Sequence, residues 1–277
     1  MSALKIPLAG VTGHPIAHSK SPQLHGHWLK AYAIKGHYIP IDIAPDDLER
    51  SIRLLPTIGF VGLNVTLPHK EVVIDLADEV TDRARAIGAA NTLTFGSDGS
   101  IQADNTDGYG FVHNLKQNAP DWAPTTGPAL VIGAGGAARA VIVSLIDLGV
   151  PEIRLSNRTP KRAEQLRAEF GETVKIVDWS EAGDAIEGTK TVVNTTALGM
   201  VGKPEMTIPL DALSAGMVVN DLVYTPLQTP FLKAASAVGA TAVDGLGMLL
   251  HQGVPGFERW FGTRPEVTDE LRAAVLK

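Results

Sequence analysis

The sequence predicts an α/β protein composed of two α/β domains. Its 277 residues are enough for two domains of ordinary size. Short apolar runs alternate with segments of helical periodicity over residues 5–71 and again from residue 128, which is typical of a mostly parallel sheet with helices on its faces. Residues 91–105 interrupt the alternation with two extended segments around "SDGS", a hairpin signal that separates the two series.

The first series contains distinct start signals for helices. Ser21 is a favourable N-cap and Pro22 suits the first helical position, while Asp46 and Asp47 suit the positive end of the next helix. The predicted elements are strands at residues 5–11, 37–43 and 61–67 and helices at residues 21–34, 45–55 and after Pro68.

The second series opens with a strand, a glycine-rich turn and a helix over residues 128–149, with Gly149 at the helix C-terminus. Thr159 caps a helix that begins at Pro160. We find no fixed short period, so two domains are predicted and not a repeat array. The further strands are predicted at residues 152–157, 174–178, 191–196 and 217–224.

Composition excludes several classes of function. Hydrophobic residues make up 44% of the chain, which favours a full globular core, and the net charge of −6 argues against partners such as nucleic acids or acidic membranes. The absence of cysteine excludes disulfides, thiolate metal sites and thiol catalysis, and no metal site is predicted. The N-terminus lacks a signal-peptide pattern and no apolar run approaches membrane-spanning length, so we expect a cytoplasmic protein.

The most specific local motif is the glycine-rich turn of the second series. Gly133, Gly135 and Ala138 form G-x-G-x-x-A between a strand and a helix. Gly133 permits the tight turn, Gly135 lets the backbone approach a pyrophosphate, and Ala138 lets helix and strand pack closely. An ordinary glycine-rich turn is the alternative, but the strand–helix context favours dinucleotide binding.

The residues after the next strand indicate which dinucleotide is bound. NAD-binding folds usually carry an acid there, whereas this chain has "SNRTPKR". Arginine can hold a 2′-phosphate with two charge-assisted bonds, and positive charge at a helix N-terminus calls for an anion. The alternative is a solvated basic helix start. We therefore predict NADP and not NAD.

Three polar stretches in the first series could bind a substrate. "HSKSP" places Ser19 and Ser21 at a helix start, where an anion such as a carboxylate is favoured, although Ser21 alone could be only a cap. "NVTLPHKE" places an amide, a hydroxyl and Lys70 near the end of one strand. Taken alone, Lys70 could be an ordinary surface residue. "ADNTDG" places Asp104 and Asp107 around an asparagine, which could equally form a turn.

Seven motifs together resemble the shikimate dehydrogenase family. They are "GHPIAHSKSP", "NVTLPHKE", "GAANTL", "DNTDG", "GAGGAAR", "NRT" and "DGLGMLLHQ", in the order found in that family and over essentially the whole chain. The resemblance implies reversible, NADP-dependent reduction of 3-dehydroshikimate to shikimate in aromatic amino acid biosynthesis. It also implies an N-terminal substrate domain (residues 1–107 with 246–277), a Rossmann NADP-binding domain (residues 108–245) and an active site in the cleft between them.

The resemblance also implies roles for individual residues. Lys70 and Asp107 are the expected catalytic pair, with the formal acid–base left open between them. Ser19 and Ser21 are expected to hold the substrate carboxylate. The other expected substrate contacts are Asn64, Thr66, Asn91, Tyr224 and Gln252. The expected cofactor contacts are Asp82, Gly133, Ala134, Gly135, Gly136, Ala137, Asn157, Arg158, Thr159, Arg162, Leu222 and Gly245.

The chain departs from the family pattern at one place, and two other functions remain open. "NTTALGM" stands where many members carry a serine-rich segment, which leaves the roles of Thr195 and Ala197 near the cofactor open. One alternative is a quinate or dual quinate/shikimate dehydrogenase. The other is a catalytically silent NADP-binding regulator, which would need neither Lys70 nor Asp107. We expect a small-molecule substrate and a monomer or homodimer.

Overall fold

The structure is a computed structural model that describes residues 6–277, so Lys5, at the start of the first predicted strand, lies outside the described residues. The chain forms two compact units. The first contains the residues up to Thr106 together with Leu250–Lys277, and the second is Asp107–Leu249. The domain limits predicted from the sequence were residue 107 for the end of the first segment and residue 246 for the start of the last.

The N-terminal part of the first unit forms a mixed sheet with the strand order β2-β1-β3-β5-β6-β4. Strand β5 runs antiparallel to both of its neighbours, whereas the other pairs are parallel. The elements are β1 (Leu8–Gly13), α1 (Ser21–Ala31), β2 (His37–Asp42), α2 (Leu48–Leu54), β3 (Phe60–Val65), α3 (Val72–Leu76), β4 (Glu79–Val80), α4 (Asp82–Ile87), β5 (Thr92–Phe95) and β6 (Ile101–Asp104).

The predicted strands and hairpin of this part are confirmed, but the start of α1 is corrected. Lys20 occupies the N-cap position and Ser21 is the first helical residue. The backbone N–H of Ser21 donates to the Ser19 hydroxyl at 3.3 Å. The side chain that accepts from the free N–H at this helix end is therefore Ser19, and not the predicted cap Ser21. The helix predicted directly after Pro68 also begins later, because two turns precede Val72.

The second unit is built on a fully parallel sheet with the order β12-β11-β10-β7-β8-β9. Renumbered within the unit, this is the 3-2-1-4-5-6 order of dinucleotide-binding sheets, and the predicted Rossmann fold is confirmed. The elements are α5 (Asp107–Asn118), β7 (Ala129–Ile132), α6 (Gly136–Asp147), β8 (Ile153–Ser156), α7 (Pro160–Phe170), β9 (Val174–Val177), β10 (Thr191–Asn194), β11 (Val218–Asp221), α8 (Pro230–Ala237) and β12 (Thr241–Val243).

Apolar layers cover both faces of this sheet. Phe111 of α5 and Leu145 of α6 are fully buried on one face, and Phe231 and Leu232 of α8 are buried on the other. Because β7 is buried along its whole length, it reads as a continuous apolar run. The strand order reverses between β7 and β10, and ligands of such sheets bind outside the carboxyl ends of the strands at that point.

The last two helices return to the first unit. Helix α9 (Leu246–Phe261) contributes its residues from Leu250 onward to that unit, and α10 (Asp269–Leu276) follows. The Trp260 indole donates to the Leu93 carbonyl of β5 at 3.1 Å and packs against Gly62 of β3. Every helix among residues 6–277 is too short or too polar to cross a membrane.

Asp104 forms a polar anchor between β6 and α9. Its carboxylate accepts hydrogen bonds from Arg259 of α9, from the Thr81 hydroxyl and from the Asn105 backbone. Burial alone would raise the pKa of Asp104, but the hydrogen bond and charge of Arg259, with the hydrogen bond of Thr81, lower the pKa below its ordinary value. Asp104 is one of the two acids of "ADNTDG", and its ion pair with Arg259 gives it a structural role.

We predict that Gly62→Ala destabilises the protein. A Cβ at this position would lie 1.8 Å from the Trp260 indole nitrogen, so the tryptophan must move. Overpacking of this kind costs about 1–3 kcal/mol, which urea denaturation followed by tryptophan fluorescence will detect. The matched control is Gly26→Ala in α1, where a Cβ meets nothing within 4 Å. That change should add about 0.5–1 kcal/mol, and a Gly62→Ala protein as stable as the control would contradict the packing described above.

We also predict that Asp104→Asn makes stability less dependent on acid pH. The carboxyl has a lower pKa in the folded chain than its ordinary 3.8, so its carboxylate stabilises the fold at neutral pH and this contribution is lost as the pH falls through the folded-state pKa. The deficit of the variant in unfolding free energy should be about 1–3 kcal/mol near pH 7 and should shrink towards about pH 3. Asp47→Asn, in the exposed pair with Arg50, should change little at either pH.

Candidate active site

Asn64 of β3 is the centre of a buried polar network in the first unit. Its side-chain oxygen accepts a hydrogen bond from the Tyr38 hydroxyl at 2.7 Å. Its side-chain nitrogen donates to the Asn91 carbonyl at 3.1 Å and to the Thr92 hydroxyl at 3.3 Å. Both hydrogens of the amide are therefore used within the protein, and what remains for a ligand is the second lone pair of the oxygen.

Asn91 extends this network to helix α9. Its side-chain oxygen accepts from the Thr106 backbone at 2.8 Å and from the Thr92 hydroxyl at 2.9 Å. Its side-chain nitrogen donates to Gln252 of α9 at 3.2 Å. The structure therefore brings together three of the predicted substrate residues, Asn64, Asn91 and Gln252, although they are far apart in the sequence.

Lys70 lies in the turn that joins β3 to α3. Its carbonyl accepts a hydrogen bond from the Ala90 backbone at 2.8 Å, next to Asn91. The adjacent His69 is buried, and its ring nitrogen bonds the Ile43 carbonyl at 2.7 Å. These bonds fix the backbone of Lys70 beside the amide network, and its side chain is half-buried. Thr66, two residues beyond Asn64, donates its backbone N–H to the Thr12 carbonyl at 2.8 Å.

The predicted carboxylate-binding serines lie at the start of α1. Ser21 is buried and Ser19 is half-buried. Because no acidic residue occurs in the first turn of this helix, its positive end carries no compensating negative charge of its own. The pair is thus placed where a small carboxylate would be favoured.

Asp107 is the first residue of α5 and of the second unit, and it is half-buried. It directly follows Thr106, whose backbone and hydroxyl both bond the Asn91 side chain. The Asn91 network therefore holds the chain immediately before this carboxylate. A negative charge at the N-terminus of a helix is also stabilised by the helix dipole.

The glycine-rich turn between β7 and α6 has the geometry that a pyrophosphate requires. Gly133 has a φ of +109°, and a Cβ there would lie 2.5 Å from the Thr195 hydroxyl, so only glycine fits. A Cβ at Gly135 or Gly136 would meet nothing within 4 Å. Packing within the protein therefore does not explain why these two positions are glycine. The N-terminus of α6 faces open space. Ala134 and Ala137 complete the turn, and these residues fit a dinucleotide.

Asn157 links this turn to the basic segment that follows β8. Its side chain accepts from the Ala134 backbone at 3.1 Å and donates to the Thr159 carbonyl at 2.8 Å. Thr159 is the N-cap of α7 as predicted, but its hydroxyl makes no capping bond. Arg158 and Arg162 are exposed, and neither has an ion-pair partner among residues 6–277. No acid occupies the first turn of α7, so the positive end of this helix carries uncompensated charge.

A buried carboxylate fixes the loops after β10 and β11. Asp221 is fully buried and accepts from the Asn194 amide at 2.9 Å, the Thr229 hydroxyl at 2.6 Å and the Val223 backbone at 3.0 Å. Burial raises the pKa of Asp221, against the opposing effect of these hydrogen bonds. The carboxylate thereby holds the segment between β11 and α8, which carries two of the predicted site residues.

Leu222 and Tyr224 are those two residues. The Leu222 carbonyl lies so close to Gly245 that a Cβ on Gly245 would be 2.1 Å away, which explains the glycine by packing. Tyr224 is half-buried, and burial raises the pKa of its hydroxyl. Thr195 donates to the Ile132 carbonyl at 2.8 Å, and Ala197 is exposed.

Asp82 belongs to a different unit from the other predicted cofactor residues. It is the first residue of α4, in the first unit, with Thr81 as its N-cap. The other predicted cofactor residues lie in the second unit. A role for Asp82 in cofactor binding stays a prediction. Among the described residues, no group of three or more histidine and acidic side chains could hold a metal ion.

Two residues of the amide network, Tyr38 and Thr106, and the neighbouring His25 are not among the predicted site residues. Tyr38 was assigned only to a strand, Thr106 only to a turn, and His25 to no role. His25 is fully buried and stacks on Tyr38 with ring centroids 3.9 Å apart. The spacing of the chain gives no local signal for these contacts, because the partners of Tyr38 and Thr106 lie in other segments of the chain.

Comparisons with known proteins identify the family to which the chain belongs. Sequence models of three families match the chain: the shikimate dehydrogenase substrate binding domain over residues 11–93, shikimate / quinate 5-dehydrogenase over residues 116–208, and the shikimate 5′-dehydrogenase C-terminal domain over residues 245–276. The "Shikimate dehydrogenase (NADP(+))" of Roseobacter denitrificans is 64% identical over 276 residues, covering 100% of both chains.

Solved structures of two enzymes resemble the chain along its whole length. The shikimate 5-dehydrogenase of Thermus thermophilus, in complex with NADP(H) and shikimate, is 36% identical with a TM-score of 0.85 and covers 98% of each chain. The quinate dehydrogenase of Corynebacterium glutamicum, in complex with NAD, is 31% identical with a TM-score of 0.91 and covers 98% of this chain and 99% of that one. From these matches, and from a relative that is 64% identical from end to end, the chain belongs to the shikimate dehydrogenase family.

Proposed function

We propose that the chain catalyses the reversible, NADP-dependent reduction of 3-dehydroshikimate to shikimate in aromatic amino acid biosynthesis. The observation that carries the proposal is the amide network of the first unit, in which Asn64, Asn91 and Gln252 converge next to the Lys70 turn. Such a cluster of amides and hydroxyls suits a small polyhydroxylated ring. The relative from Roseobacter denitrificans, named for this activity, supports the same substrate.

On the substrate side, each group of residues has a distinct task. Ser19 and Ser21, at the positive end of α1, hold the carboxylate. Asn64, Thr66, Asn91 and Gln252 bind the ring and its hydroxyls, and Tyr224 adds a hydroxyl from the second unit. Because the amides are already oriented by hydrogen bonds within the protein, binding need not order them.

Lys70 and Asp107 carry out the proton chemistry. NADPH, when bound, supplies a hydride to the ketone carbon, which leaves negative charge on the ketone oxygen. The Lys70 ammonium stabilises that charge and donates a proton to it. A lysine is a poor base in the reverse direction, so Asp107 orients Lys70 and takes part in relaying the proton. The two residues act as one unit.

On the cofactor side, the glycine turn from Gly133 to Ala137 binds the pyrophosphate at the N-terminus of α6. Asn157, Arg158, Thr159 and Arg162 bind the adenosine 2′-phosphate, and the absence of an acid in the first turn of α7 supports NADP over NAD. By family resemblance, Gly245 would contact the nicotinamide of a bound cofactor. Leu222 and Asp82 are assigned to cofactor binding by the same resemblance.

The deciding experiment is a dehydrogenase assay with the purified chain. Reduction of NADP at 340 nm, a wavelength at which reduced nicotinamide absorbs, should follow the addition of shikimate. Quinate as substrate and NAD as cofactor should give much lower kcat/KM. A preference for quinate with NAD would instead support the activity named for the neighbour from Corynebacterium glutamicum. No turnover with any pair, despite NADP binding, would indicate a non-catalytic binding protein.

We also propose that the protein is cytoplasmic, that it binds neither nucleic acid nor membrane, and that it is a monomer or homodimer. The net charge of −6 and the absence of cysteine support this assignment. Analytical ultracentrifugation of the full chain tests the oligomeric state, and a larger assembly would contradict it.

We predict that Lys70→Ala lowers kcat by about 10²–10⁴-fold, because it removes the proton donor and the charge that faces the developing oxyanion. KM for shikimate should change far less, since this interaction is made mainly in the transition state. Asp107→Asn should also lower kcat, and the double variant should be little worse than the worse single one. The control is Lys30→Ala in the last turn of α1, which should keep the wild-type kcat. Near-normal kcat with weaker binding would make Lys70 a binding residue only.

A further prediction concerns the choice of cofactor. Arg158→Ala with Arg162→Ala should raise KM for NADP and leave KM for NAD nearly unchanged. Charge-assisted hydrogen bonds contribute about 1.5–3 kcal/mol each, so each arginine should account for roughly tenfold to a hundredfold. Arg167→Ala, in the last turn of the same helix, is the control and should affect neither cofactor. An equal loss for both cofactors would show that the segment has a structural role and does not bind a 2′-phosphate.

A further inference from the structure

The first unit contains a buried aromatic pair that the proposed chemistry does not use. The rings of His25 and Tyr38 stack almost parallel, at an interplanar angle of 4° and a centroid distance of 3.9 Å. Trp28 and Phe257 close the cluster around His25, with centroids at 5.5 Å and 5.9 Å. Both His25 and Tyr38 are at most 8% exposed, so the pair lies within the core.

His25 acts here as a flat ring and not as a hydrogen-bonding group. Neither of its ring nitrogens has a hydrogen-bond partner within the described part of the chain. Burial lowers the pKa of His25 to about 3, against the opposing effect of the neighbouring Asn64, so the imidazole is neutral at physiological pH. Burying a polar ring without hydrogen bonds lowers stability. We therefore attribute the role of His25 to the flat surface on which the Tyr38 ring stacks.

The Tyr38 hydroxyl is committed to Asn64. The Asn91 carbonyl can only accept, so it must face the nitrogen of the Asn64 amide, 3.1 Å away. This places the amide oxygen of Asn64 towards Tyr38, where it accepts the hydroxyl proton at 2.7 Å. The direction of every hydrogen bond on Asn64 is therefore determined, and Asn64 can meet a ligand only as an acceptor. The Ser21 side chain lies beside the same hydroxyl, where its hydrogen bond opposes the rise in the Tyr38 pKa that burial causes.

We propose that Tyr38, held flat against His25, is a positioning residue for substrate binding. Its hydroxyl fixes the oxygen of the Asn64 amide so that the remaining lone pair accepts a hydrogen bond from a substrate hydroxyl. The inference rests on the proposed function, and it goes beyond it by assigning what Asn64 recognises: a donor on the ring, and not a carbonyl or a carboxylate. Tyr38 itself touches no substrate in this arrangement.

Tyr38→Phe tests the hydroxyl with the least disturbance, because the stacked ring is kept. Shikimate binding, measured by isothermal titration calorimetry without cofactor so that no turnover occurs, should weaken about tenfold, which is the effect expected for losing one hydrogen bond. KM for NADP should stay within about twofold, since the cofactor residues lie elsewhere. The matched control is Tyr32→Phe, whose hydroxyl accepts from the Glu266 backbone at 3.0 Å in the same unit. Its shikimate affinity should equal that of the wild type.

A double-mutant cycle with Asn64→Ala separates positioning from general loosening of the core. If Tyr38 acts through Asn64, the variant carrying both changes should bind shikimate about as weakly as Asn64→Ala alone. His25→Phe should keep the stacked surface and near wild-type affinity, whereas His25→Ala should resemble Tyr38→Phe. Additive losses in the cycle, or parallel losses for shikimate and NADP, would overturn the proposal.

The two levels of inference fail in different ways. If the wild-type chain neither binds nor oxidises shikimate, the proposed function is wrong and the assignment of Tyr38 falls with it. If the wild type binds shikimate normally and Tyr38→Phe binds it equally well, only the assignment of Tyr38 is wrong. Thermal unfolding of each variant shows whether a loss of binding comes from a folded protein.

Discussion

The hydrogen bonds of Asn91 are the constraint on which the first unit depends. Its carbonyl accepts from the Val65 backbone and from the Asn64 amide, and its side chain bonds Thr106 and Gln252. One asparagine thus joins β3, the two ends of the β5–β6 hairpin and helix α9. A buried amide with fewer hydrogen-bond partners would lower the stability of the fold, so we expect these segments to unfold together. The Lys70 carbonyl accepts a hydrogen bond from Ala90, the residue before Asn91, so the Lys70 turn is held in place by the same segment.

In the second unit a buried carboxylate, that of Asp221, joins segments that are remote in the sequence. Asn194 and Asp221 are register partners at the ends of β10 and β11. Strand β10 borders the point where the strand order reverses, at which ligands of such sheets bind. The buried carboxylate is held by neutral donors alone, and burial raises its pKa. Loops at this edge lack regular backbone pairing, so a carboxylate that accepts three hydrogen bonds gives them a defined conformation that the sheet cannot supply.

The parts of the molecule that the sequence predicted are those with local causes. The turn at Gly133 needs a positive φ, the hairpin follows from "SDGS", and Pro160 begins a helix at a place where its missing N–H costs nothing. The contacts it could not predict join residues that are remote in the chain, such as Tyr38 with Asn64 and Asp104 with Arg259. The correction at Ser21 has the same origin, because whether a serine is a cap or a first helical residue depends on the backbone angle of its neighbour.

The discontinuity of the first unit sets an order of events during synthesis. Residues 107–249 form a continuous segment with its own sheet and core, so all the residues this unit needs are synthesised before residues 250–277 are made. The first unit has its strands early but receives Trp260, Arg259 and Gln252 last. The N-terminal sheet therefore lacks the contacts of these three side chains with Leu93, Asp104 and Asn91 until α9 has been synthesised. In this enzyme the unit that is begun first is the unit completed last.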